Sequence, residues 1–437
     1  MKKKLRLSVL FDLLRKTASS FPDCRTGKNI QYSPEEFLMT AFSAFFIQSP
    51  SFNSHKNMSG DILANGNAKS VFDLDRMPCH NRLRNFFDKV SPDYLNPVYD
   101  GVFRNLDRSG VLSGLRGFRK DILIPLDGTD YFSSKKVFCQ NCSVANHGDG
   151  TKTYRHSVLM PAIVVPNGAT AVPLSPEFIK PQDGAEKQDC EINAAKRWVN
   201  RFRKTHKKIS ATVLGDDLYS RQPFCRELLN NRLNFILVCK PGSHTTLYND
   251  IDELEKKGGL SAKRVRRIKD RRHETDIYRY GYDVRLRNGD DALRVNWAEM
   301  TTVNEHNEII YKNSFITNHG ISEKNIEAVV AAGRSRWKIE NEGINTLKNQ
   351  GYNLTHNYGH GGKFLSSFLA SLILIAFLFH TVLDITGKKY GMLRCILSSR
   401  KELFSDIRSL IKYICFDSLQ DLFDFMLKRL KGRSPPA

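Results

Sequence analysis

The chain has 437 residues, enough for several domains and a substantial core, and its 41% hydrophobic and 26% charged residues exclude a predominantly disordered protein. The formal net charge of +21 indicates a polyanionic partner such as nucleic acid, the alternative being a basic surface that only aids solubility. Nine scattered cysteines do not form the pattern of a secreted disulfide framework, so we expect a reducing compartment.

Residues 1–118 are predicted to form a helical N-terminal domain that binds DNA. The stretch that begins at Ser33, Ser-Pro-Glu-Glu, has the cap, the proline and the early glutamates of a helix start. A second helical stretch carries Arg82, Arg84 and Lys89 among aromatic residues. Basic helix faces suit DNA phosphates, although charged runs are more often solvated faces.

Residues 119–244 are predicted to begin an α/β core with a mixed sheet. The pattern favours three strands, an amphipathic helix and two further strands, which is the order of a ribonuclease-H-like core. Apolar strands are expected at 121–126, 157–166, 171–174, 211–215 and 234–239, and the helix at 189–205.

The rest of the chain is predicted to hold an insertion and then to complete the core. Alternating strands make residues 245–320 a β-rich insertion. Residues 321–390 return to helix, with a catalytic helix expected at 323–347. Residues 391–437 are a C-terminal helical segment that ends in a disordered tail.

The apolar run 364–384 is long enough to span a bilayer. It also contains three serines and a histidine, and it is a single run near the end of a basic chain. We therefore favour a buried core helix over a membrane span.

Carboxylates are expected where two of the predicted strands end. Asp127 follows the strand 121–126, and Asp216 follows the strand 211–215. Strand ends are common ligand sites in α/β sheets, although an Asp-Gly pair after a strand is more often a plain turn. On the predicted helix, Arg336 and Glu340 are four residues apart and share a face, and Lys348 lies close to that face.

Three segments resemble the catalytic motifs of bacterial insertion-sequence transposases of the DDE class, in the insertion-sequence-four superfamily. They read LDGT, GDDLYS and RWKIENEGINTLK, and the similarity extends over about residues 120–385. The resemblance implies that Asp127, Asp216 and Glu340 are catalytic and bind two Mg²⁺ ions, which Mn²⁺ can replace. It implies that Arg336 and Lys348 bind DNA phosphates.

The same resemblance implies a biological setting. The enzyme would nick double-stranded DNA at transposon ends and join the freed 3′-hydroxyl to target DNA, in cut-and-paste transposition. It would be bacterial, cytoplasmic and nucleoid-associated, without membrane contact, and a homodimer in the synaptic complex. The alternative function is a catalytically inactive or domesticated DNA-binding derivative.

The chain departs from the family pattern around the third carboxylate. Gly333 stands where the family has tyrosine, and the spacing from Glu340 to Lys348 is one residue longer than usual. Glu342 is therefore an alternative third carboxylate, although the Arg-Trp-Lys-Ile-Glu register favours Glu340. Asp130 and Asp217 are alternatives to the first two aspartates.

Cysteine and histidine residues suggest a second metal. Cys139, Cys142, His147 and His156 have the ligand types of a structural zinc site, and the alternative is that these side chains are reduced and unliganded. Farther along, His356 and His360 are expected either to contact DNA or the active site, or to lie in a plain glycine-rich connection.

Overall fold

The computed structural model describes residues 3–26, 30–179, 181, 191–270, 272–397 and 399–430. The predicted disordered tail at 432–437 and the first residues of the helix predicted at 189–205 lie outside this part of the chain.

The N-terminal segment is helical, as expected. The predicted helix start at Ser33 is confirmed as a capping box, in which Ser33 Oγ accepts from Glu36 N at 3.1 Å and Glu36 Oε2 accepts from Ser33 N at 2.7 Å. The α-helices of this segment, among the described residues, are α1 (Leu7–Ala18), α2 (Pro34–Phe46), α3 (Phe52–Ala64), α4 (Asn67–Phe72), α5 (His80–Phe87) and α6 (Asn96–Arg108).

The central part of the chain alternates strands and helices and confirms an α/β fold. Every predicted strand is present, and β2, β5 and β8 are additions that their short length or high charge concealed. The elements are β1 (Ile122–Ser134), β2 (Ser143–Asn146), β3 (Lys152–Val164), β4 (Ala171–Pro173), β5 (Glu177–Ile179), α7 (Glu191–Thr205), β6 (Ala211–Gly215), α8 (Gln222–Asn230), β7 (Asn234–Val238), α9 (Thr245–Lys256), β8 (Ser261–Lys269), β9 (Arg272–Arg285), β10 (Arg294–Val303) and β11 (Ile309–Thr317).

One mixed sheet runs through the molecule in the order β2-β3-β1-β6-β7-β11-β10-β9-β8, with β4 and β5 also paired to β3. Strand β1 pairs antiparallel with β3 and parallel with β6, and β6 pairs parallel with β7. The strands of the predicted insertion are therefore part of the same sheet, because β11 pairs antiparallel with β7 and carries β10, β9 and β8 outward.

Asp121 fixes the end of the sheet where β1, β6 and β7 begin. Its buried carboxylate accepts hydrogen bonds from the hydroxyls of Ser210 and Thr212 and from the Asn234 amide. Since these partners belong to the segments that start β6 and β7, the network holds the register of three parallel strands. It lies at the opposite end of these strands from Asp216.

The helix predicted at 323–347 is interrupted. It comprises α10 (Ile326–Arg334), a turn at Ser335 and Arg336, a π-helical segment (Ile339–Asn345) and α11 (Thr346–Asn349). The four-residue spacing of Arg336 and Glu340 is therefore not an α-helical face, because a turn and a π-helix have different periodicities.

The remaining helices complete a helical body with the N-terminal segment. They are α12 (Leu365–Thr386), α13 (Lys388–Ile396), α14 (Arg400–Tyr413) and α15 (Leu419–Arg429). Among the described residues, α12 is the one helix long and apolar enough to cross a membrane, and 89% of its most apolar window is buried. It packs against α1, α2, α5 and α13 and against β4, as expected for a core helix.

Candidate functional site

Asp127 lies inside β1 and not after its end, contrary to the sequence expectation. The strand continues to Ser134 because β3 pairs with β1 beyond the point where β6 stops. The parallel register of β1 and β6 ends at the pair Pro125 and Leu214. Extending that register by two residues places Asp127 beside Asp216, which follows β6. The strand end that matters for the site is therefore that of β6.

The carboxylate of Asp216 is held by its own turn. Its Oδ1 accepts from Leu218 N at 2.9 Å, which fixes the side chain just beyond β6. The neighbouring Asp217 has a different role, because its carboxylate accepts from Lys240 N at 2.6 Å and from the Ser243 hydroxyl. Asp217 thus fastens the loop after β7.

Charges from separate parts of the chain act on Asp127. Burial raises the pKa of Asp127 to about 6, Arg336 opposes this rise, and Glu191, Asp216 and Glu340 add to it. All three predicted carboxylates and the predicted phosphate-binding arginine are therefore close enough to interact. Asp130 instead accepts from the Ser157 hydroxyl and lies 3.7 Å from an Arg155 nitrogen.

Glu191 is a fourth acidic residue, which the sequence reasoning did not single out. It opens α7, and its Oε1 accepts from Gly128 N at 3.1 Å and from the Tyr219 hydroxyl. Burial raises the pKa of Glu191, Tyr219 lowers it, and the charge of Asp216 raises it. Its two partners, Gly128 and Tyr219, lie in the segments LDGT and GDDLYS, and these were the residues in the sequence that could have indicated its role.

The two remaining candidates differ in exposure. Glu340 is exposed at the start of the π-helical segment and is one of the charges acting on Asp127, whereas Glu342 is half-buried in the same segment. Lys348 lies farther on in α11 and is half-buried. Next to Arg336, the side chain of Trp337 is 45% exposed.

A second cluster corrects the predicted zinc set. The ligand atoms of Cys139, Cys142, His156 and His360 all lie within 4.8 Å of one another and could hold a metal ion such as zinc. His147 is not part of this cluster, because its Nε2 lies 2.8 Å from the Thr153 hydroxyl. His360 takes its place, since the segment before α12 folds back onto β3.

The two clusters differ in compactness. Among the residues that the structure describes, the Cys/His group is the one set of three or more potential ligands drawn so closely together. The acidic side chains lie farther apart, as expected for like charges that repel one another. Carboxylate oxygens are nevertheless the ligands that Mg²⁺ prefers, so the donor set fits that ion.

Several other expectations have clear outcomes. Arg84 donates to the Tyr358 carbonyl at 2.8 Å, so it links α5 to the segment before α12 and does not form a free basic face. Arg82 donates to Gln31 Oε1 at 2.8 Å.

No protein-family model matches the chain, and no curated protein matches it.

Proposed function

We propose that the protein is a Mg²⁺-dependent DNA transposase of the DDE class, which nicks DNA and transfers the resulting 3′-hydroxyl to a target strand. The observation that carries the proposal is that the charges of Asp216, Glu340 and Arg336 all act on the buried carboxylate of Asp127. The register of β1 and β6 supports it, as does the contact of β1 with the π-helical segment that carries Glu340. These residues are the acidic members of the three motifs that resemble those of insertion-sequence transposases.

The topology supports a ribonuclease-H-like core. Strands β4, β3 and β1 are adjacent and antiparallel, and β6 and β7 follow on the other side of β1 and run parallel to it. Helix α7 precedes β6, and α8 connects β6 to β7. This is the element order that the sequence predicted for such a core, with β8 to β11 added before the last carboxylate.

The proposed phosphoryl transfer requires oxygen ligands that bind Mg²⁺ and cationic side chains that bind phosphate. Asp127, Asp216 and Glu340 would hold two Mg²⁺ ions, whose function is to neutralise charge at the phosphorus and to activate the attacking oxygen. Arg336 would bind a DNA phosphate as a bidentate donor. Glu191 would position the main chain beside Asp127 through its bond with Gly128.

Surface charge supports a DNA partner. The net charge is +21, and the edge strand β8 exposes Arg264 and Arg266 on one face. Each phosphate contact of this kind contributes affinity that falls with added salt. Trp337, exposed beside Arg336, offers a flat ring on which an unpaired base can stack. Two copies would bring two transposon ends together.

The test uses a supercoiled plasmid that carries the chain's own gene with its native flanking DNA. Wild-type protein with Mg²⁺ should convert this plasmid to nicked and linear forms, and EDTA should prevent the conversion. Asp127→Asn, Asp216→Asn and Glu340→Gln should each reduce the rate at least about 1,000-fold, as loss of a metal-binding carboxylate removes several kcal/mol of transition-state stabilisation.

Matched controls are available in the same motifs. Asp130→Asn and Glu342→Gln remove nearby carboxylates and should leave cleavage within about threefold of wild type, which corresponds to less than about 1 kcal/mol. Equal nicking by wild type and Asp127→Asn would overturn the proposal. Salt-sensitive binding of the flanking DNA without any cleavage would instead identify a catalytically inactive, DNA-binding derivative.

A further inference from the structure

The second cluster joins three parts of the chain. Cys139 and Cys142 lie in the turn between β1 and β2, His156 lies on β3, and His360 precedes α12. Cys142, His156 and His360 are each at most 8% exposed. Four polar side chains from distant positions therefore meet in a place from which water is largely excluded.

Five of the six ligand-to-ligand distances match the edges of a metal-centred tetrahedron, and the sixth, between Cys139 Sγ and His360 Nε2, is within 4.8 Å. With bonds of about 2.3 Å to sulfur and about 2.0 Å to nitrogen, a tetrahedral zinc site has edges of about 3.8 Å between sulfurs, about 3.5 Å between sulfur and nitrogen and about 3.3 Å between nitrogens. The Sγ atoms of Cys139 and Cys142 are 3.9 Å apart, and the Nε2 atoms of His156 and His360 are 3.1 Å apart. His156 Nε2 lies 3.5 and 3.4 Å from the two sulfurs, and His360 Nε2 lies 3.4 Å from Cys142 Sγ.

Other accounts of the cluster are weaker. A disulfide is excluded because its sulfurs would be about 2.0 Å apart. Hydrogen bonding alone gives each histidine Nε2 at best one weak thiol donor, at 3.4 to 3.5 Å, and leaves the two ring nitrogens 3.1 Å apart with nothing between them. His360 Nδ1 donates to the Gly361 carbonyl at 2.9 Å, so in the neutral ring His360 Nε2 carries a lone pair that faces another ring nitrogen and a sulfur. A central cation satisfies all four atoms together.

The surroundings have the features of a built metal site. Cys139 N donates to Cys142 Sγ at 3.4 Å, a bond that stabilises thiolate charge in a tight cysteine turn. The Gly361 carbonyl fixes the ring of His360, and the main chain of Asn141 bonds His156. Such outer partners orient histidine ligands in metal sites.

We propose that Cys139, Cys142, His156 and His360 bind one structural Zn²⁺ ion. Four protein ligands leave no open position, so the ion holds the structure together and does not take part in cleavage. It ties the β1–β2 turn and β3 to the segment that leads from α11 into α12. Asp88 fastens the same segment from α5, since its carboxylate accepts from the main-chain N–H groups of residues 362–365.

Metal content tests the proposal without any activity assay. Protein purified from zinc-supplemented cells should contain about one equivalent of zinc by mass spectrometry, and the zinc should remain after dialysis against excess Mg²⁺. Replacement by Co²⁺ should give the visible bands of a tetrahedral site and the thiolate-to-cobalt charge-transfer band. Wild-type protein that takes up neither ion would overturn the proposal, whether or not the protein cleaves DNA.

Two histidine variants make the ligand assignment specific. His360→Ala should lose the zinc, and His147→Ala, which removes the histidine nearer in sequence but bonded to Thr153, should keep a full equivalent. Full zinc retention by His360→Ala would contradict the assignment. If His360→Ala does not fold, the cobalt spectrum of the wild type decides: two thiolates and tetrahedral bands support the site, and their absence refutes it.

Discussion

Gly128 and Glu191 are in direct contact: Gly128 N donates to Glu191 Oε1 at 3.1 Å, and a Cβ atom on residue 128 would lie 2.1 Å from Glu191 Oε2. Residue 128 is next to Asp127, so the contact joins the first turn of α7 to the strand that carries the central carboxylate. Only a residue without a side chain allows it.

We therefore expect Gly128→Ala to push the Glu191 carboxylate away and break its bond to residue 128 N. A shift of about 1 Å at a reacting centre costs about 100-fold in rate, so the nicking rate should fall by that factor while the protein stays folded. The rate is measured on the plasmid described above, with circular dichroism as the check on folding. Gly114→Ala is the control, since a Cβ there meets nothing within 4 Å. Unchanged nicking by Gly128→Ala would refute a positioning role for Glu191.

Asp127→Asn should stabilise the protein when no metal is present. Burial and the negative charges of Glu191, Asp216 and Glu340 destabilise the ionised carboxylate of Asp127. A neutral amide at this position removes that unfavourable energy from the folded state. We expect a gain of about 1 kcal/mol, or about 2 °C in melting temperature, in EDTA.

Mg²⁺ should reverse this order, because a ligand stabilises only the form that binds it. Wild type should therefore gain stability from Mg²⁺ in a thermal-shift titration, and Asp127→Asn should gain little. Asp130→Asn is the control: it loses part of its bond to Ser157 and its attraction to Arg155, and should be no more stable than wild type in EDTA. A lower melting temperature for Asp127→Asn in EDTA would count against the crowded acidic site.

Gly333→Ala should destabilise the fold by about 2 kcal/mol, the usual cost of overpacking. A Cβ at this position of α10 would lie 2.8 Å from Phe315 and 2.9 Å from Ile236, because the helix packs closely on β11 and β7. The same close packing leaves no room for a tyrosine side chain at position 333.

Gly60→Ala is the matched control for Gly333→Ala, since Gly60 lies inside α3 with nothing within 4 Å of its Cβ position. Helix propensity alone should then stabilise the protein by up to about 1 kcal/mol. Urea denaturation measures both variants. Equal effects of the two substitutions would show that α10 is free to move away from the sheet.

His55 should make stability fall in mild acid. Burial lowers its pKa from 6.5 to about 4, and its ring nitrogens lie 3.2 Å from the hydroxyls of Ser43 and Ser49. Between these two pKa values the unfolded chain binds a proton that the folded protein refuses, so stability decreases as the pH falls from 6.5 to 4. From pH 7 to pH 5 this histidine should account for about 2 kcal/mol. Urea denaturation of His55→Gln should show a pH dependence smaller by that amount, and an unchanged dependence would contradict the assignment.

The sequence allowed the α/β class and most strands to be predicted, because apolar runs and their turns are local properties. The prediction that Asp127 follows its strand was wrong, because β1 continues to Ser134 through its pairing with β3, which the apolar pattern of β1 does not reveal. The π-helical segment was missed for a related reason: a 3.6-residue period was assumed across a turn that breaks it.

Residues joined only by tertiary structure were the hardest to find. His147 was expected at the Cys/His cluster because it is near the cysteines in sequence, whereas His360 reaches them through the return of the chain before α12. Glu191 was overlooked because its role depends on Gly128 and Tyr219, which lie in other motifs. A glycine in the sequence can indicate that another residue packs closely at that position, but it does not identify which residue this is.

The position of α12 has a consequence for dividing the protein into fragments. Helices α1 and α2 cover this apolar helix, which follows the segment carrying Glu340 and Lys348. A fragment that begins near residue 119 would keep the three acidic residues and yet leave α12 uncovered. Such a fragment should aggregate or bind detergent when expressed alone, because the faces of α12 that α1 and α2 cover would be exposed to solvent.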